Sequence, residues 1–222
     1  MPMKKMLPNL PTNSQRIAIV GRTGSGKTVA GLWHLSKQNY HKQPWIIVDY
    51  KMDENINSIK NAVHIELKDT PKKPGIYIVH PRPNDEEKVT ALLYRVWERE
   101  NIGIYIDEGY MLGNRNPALN VCLTQGRSKH IPMIVLSQRP VWLTRFVFSE
   151  SDFFQIFQLN DKDDRKTVER FLNENSLNRL PDYHSYYYDV NRDSLYTFGP
   201  VPDSDESVAS IDEQLEPRRK FL

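Results

Sequence analysis

Short apolar runs alternate along the chain with longer stretches in which apolar residues recur every three or four positions. Each short run is bounded by a glycine, a proline or a polar turn, which is typical of a buried β-strand. The predicted strands are 16–20, 45–48, 76–79, 102–106, 131–136 and 153–159. The longer stretches predict amphipathic helices over 28–38, 86–100, 117–128 and 163–173, and a late hairpin is predicted over 186–196.

This alternation predicts an α/β fold with a mostly parallel central sheet flanked by helices. With 222 residues the chain is long enough for one such domain and short for two. We expect an irregular N-terminal arm at 1–14, a single domain over 15–200, and a flexible charged segment at 201–222. That last segment carries six acidic and three basic residues.

The composition excludes several classes of protein. Hydrophobic residues make up 39% and charged residues 26%, as in ordinary soluble proteins, and no apolar run approaches the roughly 20 residues that a membrane span needs. The single cysteine, Cys122, excludes an internal disulfide and a cysteine cluster for metal binding. A net charge of +2 gives little indication of a polyanionic partner.

An octapeptide between the first strand and the first helix matches the phosphate-binding pattern G-x-x-x-x-G-K-[ST]. Its residues are Gly21, Arg22, Thr23, Gly24, Ser25, Gly26, Lys27 and Thr28, and Val29 follows in the helix. The glycines let backbone N–H groups point at phosphate oxygens, and the helix N-terminus adds its positive dipole end. We therefore expect an ATP site here, with Lys27 on the β- and γ-phosphates and the Thr28 hydroxyl on Mg²⁺.

Two adjacent acids, Asp107 and Glu108, end the strand at 102–106. Acids at strand ends are common turn residues, but together with a phosphate-binding loop they have a chemical use. Asp107 would hold Mg²⁺ through water, and Glu108 would act as the general base that orients the attacking water. A base at this place favours hydrolysis over phosphoryl transfer to a small molecule.

The order of the elements predicts an inserted central strand. Two predicted strands separate Lys27 from Asp107, and one more strand follows the acids and ends in Gln138. We expect this last strand to lie between the loop-bearing strand and the acidic strand, which would place Gln138 near the γ-phosphate as a sensor. The alternative is a surface glutamine at a strand end.

Four stretches resemble the FtsK/HerA superfamily of DNA-pumping ATPases. They are GRTGSGKT, IIVDYK at 46–51, IGIYIDE at 102–108, and TQGRSKHIPMIVLSQRP at 124–140. The last is the most specific, with Gly-Arg at a helix end, a short strand and then Gln-Arg-Pro. The resemblance covers roughly 15–170 and is greatest to the small genome-packaging ATPases of tailless icosahedral viruses with an internal membrane. Tyr50 departs from it, because the family often has proline there.

This resemblance implies a P-loop NTPase fold of the additional-strand (ASCE, RecA-like) type and an ATP hydrolase that uses Mg²⁺. It also implies a homo-hexameric ring that threads double-stranded DNA through its pore, without sequence readout, into a preformed capsid. Arg127 would then be an arginine finger that reaches the γ-phosphate of a neighbouring subunit, with Arg139 as the competing candidate. A capsid or portal-vertex protein would be a partner, and the host cytoplasm and the packaging vertex of the virion the places of action.

Other functions remain open at this point. Arg82 and the stretch 114–116 are candidates for contacts with DNA phosphates, or form ordinary solvated loops. Conjugative DNA transfer and filamentous phage export use related motors, which usually carry a transmembrane segment. A small-molecule P-loop phosphotransferase would need a lid rich in arginine, which the sequence does not indicate. A nucleotide-gated binding protein is the remaining alternative.

Overall fold

A nine-stranded sheet runs through the centre of the protein, as a computed structural model shows. The structure describes residues 8–173 and 177–216. The strands are β1 (Arg16–Val20), β2 (Pro44–Asp49), β3 (Val63–His64), β4 (Gly75–Val79), β5 (Gly103–Asp107), β6 (Met133–Ser137), β7 (Phe153–Ile156), β8 (Ser185–Asp189) and β9 (Ser194–Phe198). Their order across the sheet is β3-β4-β2-β5-β6-β1-β7-β8-β9. All neighbouring pairs from β3 to β7 are parallel, and β7, β8 and β9 pair antiparallel.

Helices cover both faces of this sheet. They are α1 (Lys27–Ser36), α2 (Glu54–Asn57), α3 (Glu86–Arg99), α4 (Pro117–Gln125), α5 (Phe146–Ser149), α6 (Lys162–Glu169) and α7 (Ser204–Leu215). Apolar residues of α1, α2 and α7 form one core cluster, and those of α3 to α6 form the other. The strands contribute alternate residues to each cluster, so Ile17 and Ile19 face α1 while Ala18 and Val20 face the opposite layer.

The predicted fold class and the inserted strand are confirmed. β6 pairs with β1 on one side and with β5 on the other, so it lies between the strand that precedes the P-loop and the strand that ends in Asp107. The six predicted strands and the four predicted helices are all present, and none of their ends is shifted by more than four residues. The late hairpin is also present and turns at 190–193.

The segment 204–215 contradicts the expectation of a flexible C-terminal region. It forms helix α7, in which Asp203 caps the N-terminus by accepting a hydrogen bond from the Glu206 N–H at 2.9 Å. Ile211 is fully buried, and the Gln214 side chain donates to the Ser36 carbonyl at the end of α1. The helix is therefore part of the folded domain, while 217–222 lie outside the described residues.

The parallel topology places one group of polar residues at one edge of the sheet. Because β1, β2, β5 and β6 run in the same direction, the chain leaves all four strands at the same edge. The P-loop follows β1, Lys51 follows β2, Glu108 follows β5 and Gln138 follows β6. This edge, the carboxyl edge of the sheet, is where ligands bind in open α/β folds.

Candidate active site

The phosphate-binding loop is tied to the sheet at its start and open at its end. The Gly21 N–H donates to the Ser137 carbonyl at 3.2 Å, and the Arg22 N–H donates to the Gln158 carbonyl at 2.8 Å. These two N–H groups therefore brace the loop. Gly24 and Gly26 have φ of 74° and 98°, a backbone conformation that glycine adopts without strain. Gly26 precedes α1 without a side-chain cap, which leaves the first N–H groups of that helix free to bind phosphate.

The Lys27 side chain lies under this loop. It is 5% exposed, and its ammonium donates to the Arg22 carbonyl at 3.0 Å. Burial, and the nearby charge of Lys51, lower the pKa of Lys27 to about 8, while Asp107 acts in the opposite direction. The Lys27 ammonium is nearly shielded from water and bonds to its own loop. An anionic polyphosphate bound there would compensate for the lost hydration of this charge.

The two acids lie together beside β6, as the sequence predicts. Asp107 is 1% exposed, and burial raises its pKa to about 6. Glu108 is also buried and has a left-handed backbone, with φ of 57°. This conformation is uncommon for a residue with a side chain and costs on the order of 1 kcal/mol. Glu108 is the residue proposed as the general base. A strained backbone at this residue is consistent with a conformation kept for function rather than for stability.

The residues present fit a magnesium ion held together with a nucleotide. Among residues 8–173 and 177–216, no group of three His, Cys, Asp or Glu side chains is arranged to hold a metal alone. However, Oδ2 of the buried Asp107 accepts no hydrogen bond within that part of the chain. Thr28 follows Lys27 at the start of α1. One carboxylate and one hydroxyl are what a Mg²⁺ needs when phosphates and water supply its other ligands.

Gln138 connects the P-loop to the segment after the acids. Its Oε1 accepts a hydrogen bond from the Thr23 hydroxyl, and its Nε2 donates to the Tyr110 hydroxyl at 3.1 Å. Tyr110 in turn contacts Trp142, with ring centroids 5.8 Å apart. Gln138 therefore lies beside Thr23 of the P-loop and links this loop to Tyr110.

Arg127 lies away from these residues. It is exposed in the turn between α4 and β6, at the edge where β6 begins. Arg139 lies at the carboxyl edge, but its guanidinium pairs with Asp164 at 3.2 Å and packs over Trp142 at 4.5 Å. Of the two finger candidates, Arg127 is therefore exposed and Arg139 is engaged within its own chain.

The candidate DNA contacts divide into exposed and buried residues. Arg82, Asn114 and Arg115 are exposed in the loops that follow β4 and β5, at the same edge as the P-loop. Asn116 is buried, caps α4 by accepting from the Leu119 N–H, and donates to the Thr90 hydroxyl at 2.7 Å. These contacts make Asn116 a structural residue rather than a DNA contact.

The sequence gives no indication of a group of residues that lies beside the P-loop at Arg22, Gly24 and Ser25. A small pocket of about 70 Å³ lies between the loop and the segment 181–184. There Asp182 pairs with Arg22 at 3.6 Å, and the exposed Tyr183 ring approaches Gly26. Only strand pairing brings this segment close, because it precedes β8, which runs antiparallel to β7.

Comparisons with known proteins agree with this site. No family model matches the chain. It is 49% identical over 214 residues to the DNA packaging ATPase P9 of Enterobacteria phage PRD1, which covers 91% of this chain and 94% of that protein. In fold it is similar to the genome packaging NTPase B204 of Sulfolobus turreted icosahedral virus 2 in complex with AMPPCP. That match has a TM-score of 0.68 and 21% identity, and covers 86% of this chain and all of that one.

A conjugation protein shares the fold at lower identity. The pCW3 conjugation coupling protein TcpA, in its monomer form with ATPγS, has a TM-score of 0.60 and 15% identity and covers 90% of this chain and 64% of that one. This likeness shows the fold alone. The identity to P9 extends over nearly the whole of both proteins, and the P-loop, the acid pair and the inserted strand form one site. The chain belongs to the family of viral DNA-packaging P-loop ATPases.

Proposed function

We propose that this protein hydrolyses ATP to drive double-stranded DNA into a preformed viral capsid. The proposal is carried by one observation: the P-loop and the acid pair face each other across β6, in a chain that is closely related to a DNA packaging ATPase throughout its length. A hydrolase needs all of these parts at one place, and the topology supplies them.

Each residue has a distinct part in the proposed reaction. The amides at the start of α1 and the Lys27 ammonium bind and orient the triphosphate. Mg²⁺, held by Thr28 and Asp107, supplies charge neutralisation at the phosphate oxygens when it is bound. Glu108 takes a proton from the attacking water, and Gln138 reports the state of the γ-phosphate to Tyr110.

The base of the nucleotide would lie on the side of Tyr183. With the phosphates at the start of α1, the pocket between the P-loop and 181–184 offers a space beside Arg22, Gly24 and Ser25. The Arg22 N–H is already bonded to the Gln158 carbonyl, so Arg22 would contact the nucleotide through its side chain. Val29 would contact it from the first turn of α1.

DNA dependence tests the proposal. Turnover of ATP should rise severalfold with linear duplex DNA, and a third strand annealed to that duplex should be displaced only while ATP is hydrolysed. Lys27→Ala should abolish both signals, because it removes the phosphate-binding cation. ATP turnover that does not change with duplex DNA would instead support the gated binding protein. Turnover that depends on a small-molecule acceptor would support the phosphotransferase.

We further propose a hexameric ring that assembles on DNA with ATP at subunit boundaries. Arg127 supports it, because this arginine is exposed at the sheet edge opposite its own P-loop, where a neighbouring subunit could approach it. Light scattering with chromatography should show a mass near six subunits when ATP and DNA are present. A monomer under every condition would contradict the ring without contradicting hydrolysis.

The place of action follows from the same proposal. The protein would work in the infected host cell during virion assembly, at the capsid vertex through which DNA enters, and would contact a capsid or portal protein there. No helix in the described ranges 8–173 and 177–216 is long and apolar enough to cross a bilayer. Immunoelectron microscopy of assembling particles, with the label at one vertex, would test this location.

A further inference from the structure

We propose that Lys51 is a positioning residue for hydrolysis, which holds the Glu108 carboxylate in the direction that it needs as general base. The inference rests on the proposed role of Glu108 and extends it. Lys51 does not touch the reacting atoms in this proposal. It acts through the carboxylate with which it pairs.

The turn after β2 fixes where Lys51 begins. Asp49 ends β2 directly opposite Asp107 in the register of the two parallel strands. Its fully buried carboxylate accepts hydrogen bonds from the N–H of Lys51 at 3.1 Å and from the N–H of Asp53 at 2.9 Å. These bonds close the turn with the Lys51 backbone beside the acid pair, so the lysine can reach both acids.

The Lys51 side chain then bridges the two acids. Its ammonium forms an ion pair with Oε1 of Glu108 and lies 4.0 Å from Oδ2 of Asp107. Glu108 is buried, whereas the side chain of Lys51 is 42% exposed. Apart from this ion pair, neither carboxylate oxygen of Glu108 has a hydrogen-bond partner among the described residues. Within this part of the chain, Lys51 is therefore the group that directs the Glu108 carboxylate.

A general base must be directed, because proton transfer requires it within hydrogen-bond reach of the attacking water. A misplacement of about 1 Å at such a site costs on the order of 10²-fold in rate. Without Lys51, the Glu108 carboxylate would retain its backbone but lose the contact that selects its rotamer. The alternative is that Lys51 merely balances the charge of buried acids, which would affect folding but not the rate of the folded enzyme.

Steady-state kinetics separates these two roles. Lys51→Met should lower kcat by roughly 10²-fold in the presence of DNA, with KM for ATP changed by no more than about threefold. Lys51→Arg keeps the charge with a different reach and should recover part of the loss. Lys60→Met, which removes an exposed lysine nine residues further along, is the matched control and should turn over as the wild type.

Binding and melting curves complete the test. Each variant should bind a fluorescent non-hydrolysable ATP analogue within about threefold of the wild type. If Lys51→Met does not fold, Lys51→Gln takes its place, since it stays polar while it loses the charge and one atom of reach. A folded variant that keeps kcat within about threefold, or that loses binding in proportion to turnover, overturns the inference.

The Glu108→Gln background identifies the partner through which Lys51 acts. Lys51→Met should cause no further loss there, because two residues that act as a unit are not additive. A further tenfold loss in this background would show that Lys51 acts elsewhere, and would refute the inference. If Glu108→Gln itself turned over normally, the role of Glu108 would be wrong. If it were inactive while Lys51→Met stayed active, only the inference about Lys51 would fail.

Discussion

Replacing Lys27 with methionine should stabilise the protein without nucleotide while it abolishes ATP hydrolysis. Lys27 is 5% exposed, and its amine donates a hydrogen bond to the Arg22 carbonyl rather than to a carboxylate. Burial lowers its pKa from 10.5 to about 8, so the charged form is less favourable in the folded protein than in the unfolded chain. Methionine has a similar length and carries no charge.

The shift in pKa sets the size of the effect. A difference of about 2.5 units corresponds to roughly 3 kcal/mol of unfavourable free energy below pH 8, where the amine is protonated in both states. The variant also loses the hydrogen bond to Arg22, which lowers its stability by about 1 kcal/mol. Lys27→Met should therefore raise the free energy of unfolding by about 2 kcal/mol at pH 7.

The sign of the pH dependence is specific to a lowered lysine pKa. Above about pH 8 the folded protein releases the proton while the unfolded chain keeps it, so the cost in the wild type decreases as the pH rises toward 10.5. At pH 9.5 the advantage of Lys27→Met should have fallen by about 2 kcal/mol, to near zero.

Urea denaturation without nucleotide, at pH 7 and pH 9.5, measures both values. Lys42→Met, at an exposed position, is the control and should lie within about 0.5 kcal/mol of the wild type at either pH. ATP with Mg²⁺ should stabilise the wild type but not Lys27→Met. A variant that is no more stable at pH 7, or an advantage that does not change with pH, would refute the reasoning.

Four further outcomes can be checked. Glu108→Gln should bind ATP normally and lose about 10²- to 10⁴-fold in turnover, as single-turnover assays would show. Arg127→Ala subunits mixed with Glu108→Gln subunits should recover partial activity, whereas either variant alone should show only residual turnover. Gly31→Ala should lower stability by about 1 kcal/mol or more although alanine favours helices, because its Cβ would lie 2.5 Å from the buried Tyr105 hydroxyl; calorimetry would show this. Ile211→Ala should cost about 2–5 kcal/mol in urea denaturation if α7 belongs to the domain.

The central sheet could be predicted because its strands are apolar on both faces. A run such as 45–48 has no polar face, and only a strand covered by helices on both sides buries all of it. Helix α7 was missed because its acidic residues dominate the composition. Its signal was nevertheless present, with Val208, Ile211 and Leu215 at helical spacing and an Asp203-x-x-Glu206 start.

The candidate site also has parts that could be predicted from local sequence and parts that could not. The P-loop is one contiguous stretch of sequence and the acid pair is another, so the chemistry of each can be recognised from its own residues. The ion pair of Lys51 with Glu108 and the hydrogen bond of Thr23 with Gln138 join residues that are far apart in sequence. They depend on which strands become neighbours, and the order of the sheet is needed before they can be expected.

The topology also limits where Arg127 can act. It precedes β6, and the P-loop lies at the other end of that strand. Five residues of strand span roughly 13 Å from first to last Cα, and the turn that holds Arg127 adds to this separation. An extended arginine side chain reaches only about half as far, and its own backbone is tied to the turn by the hydrogen bond from the His130 N–H at 3.3 Å. Arg127 therefore cannot contact a phosphate in its own subunit, and any role in hydrolysis requires the active site of a neighbour.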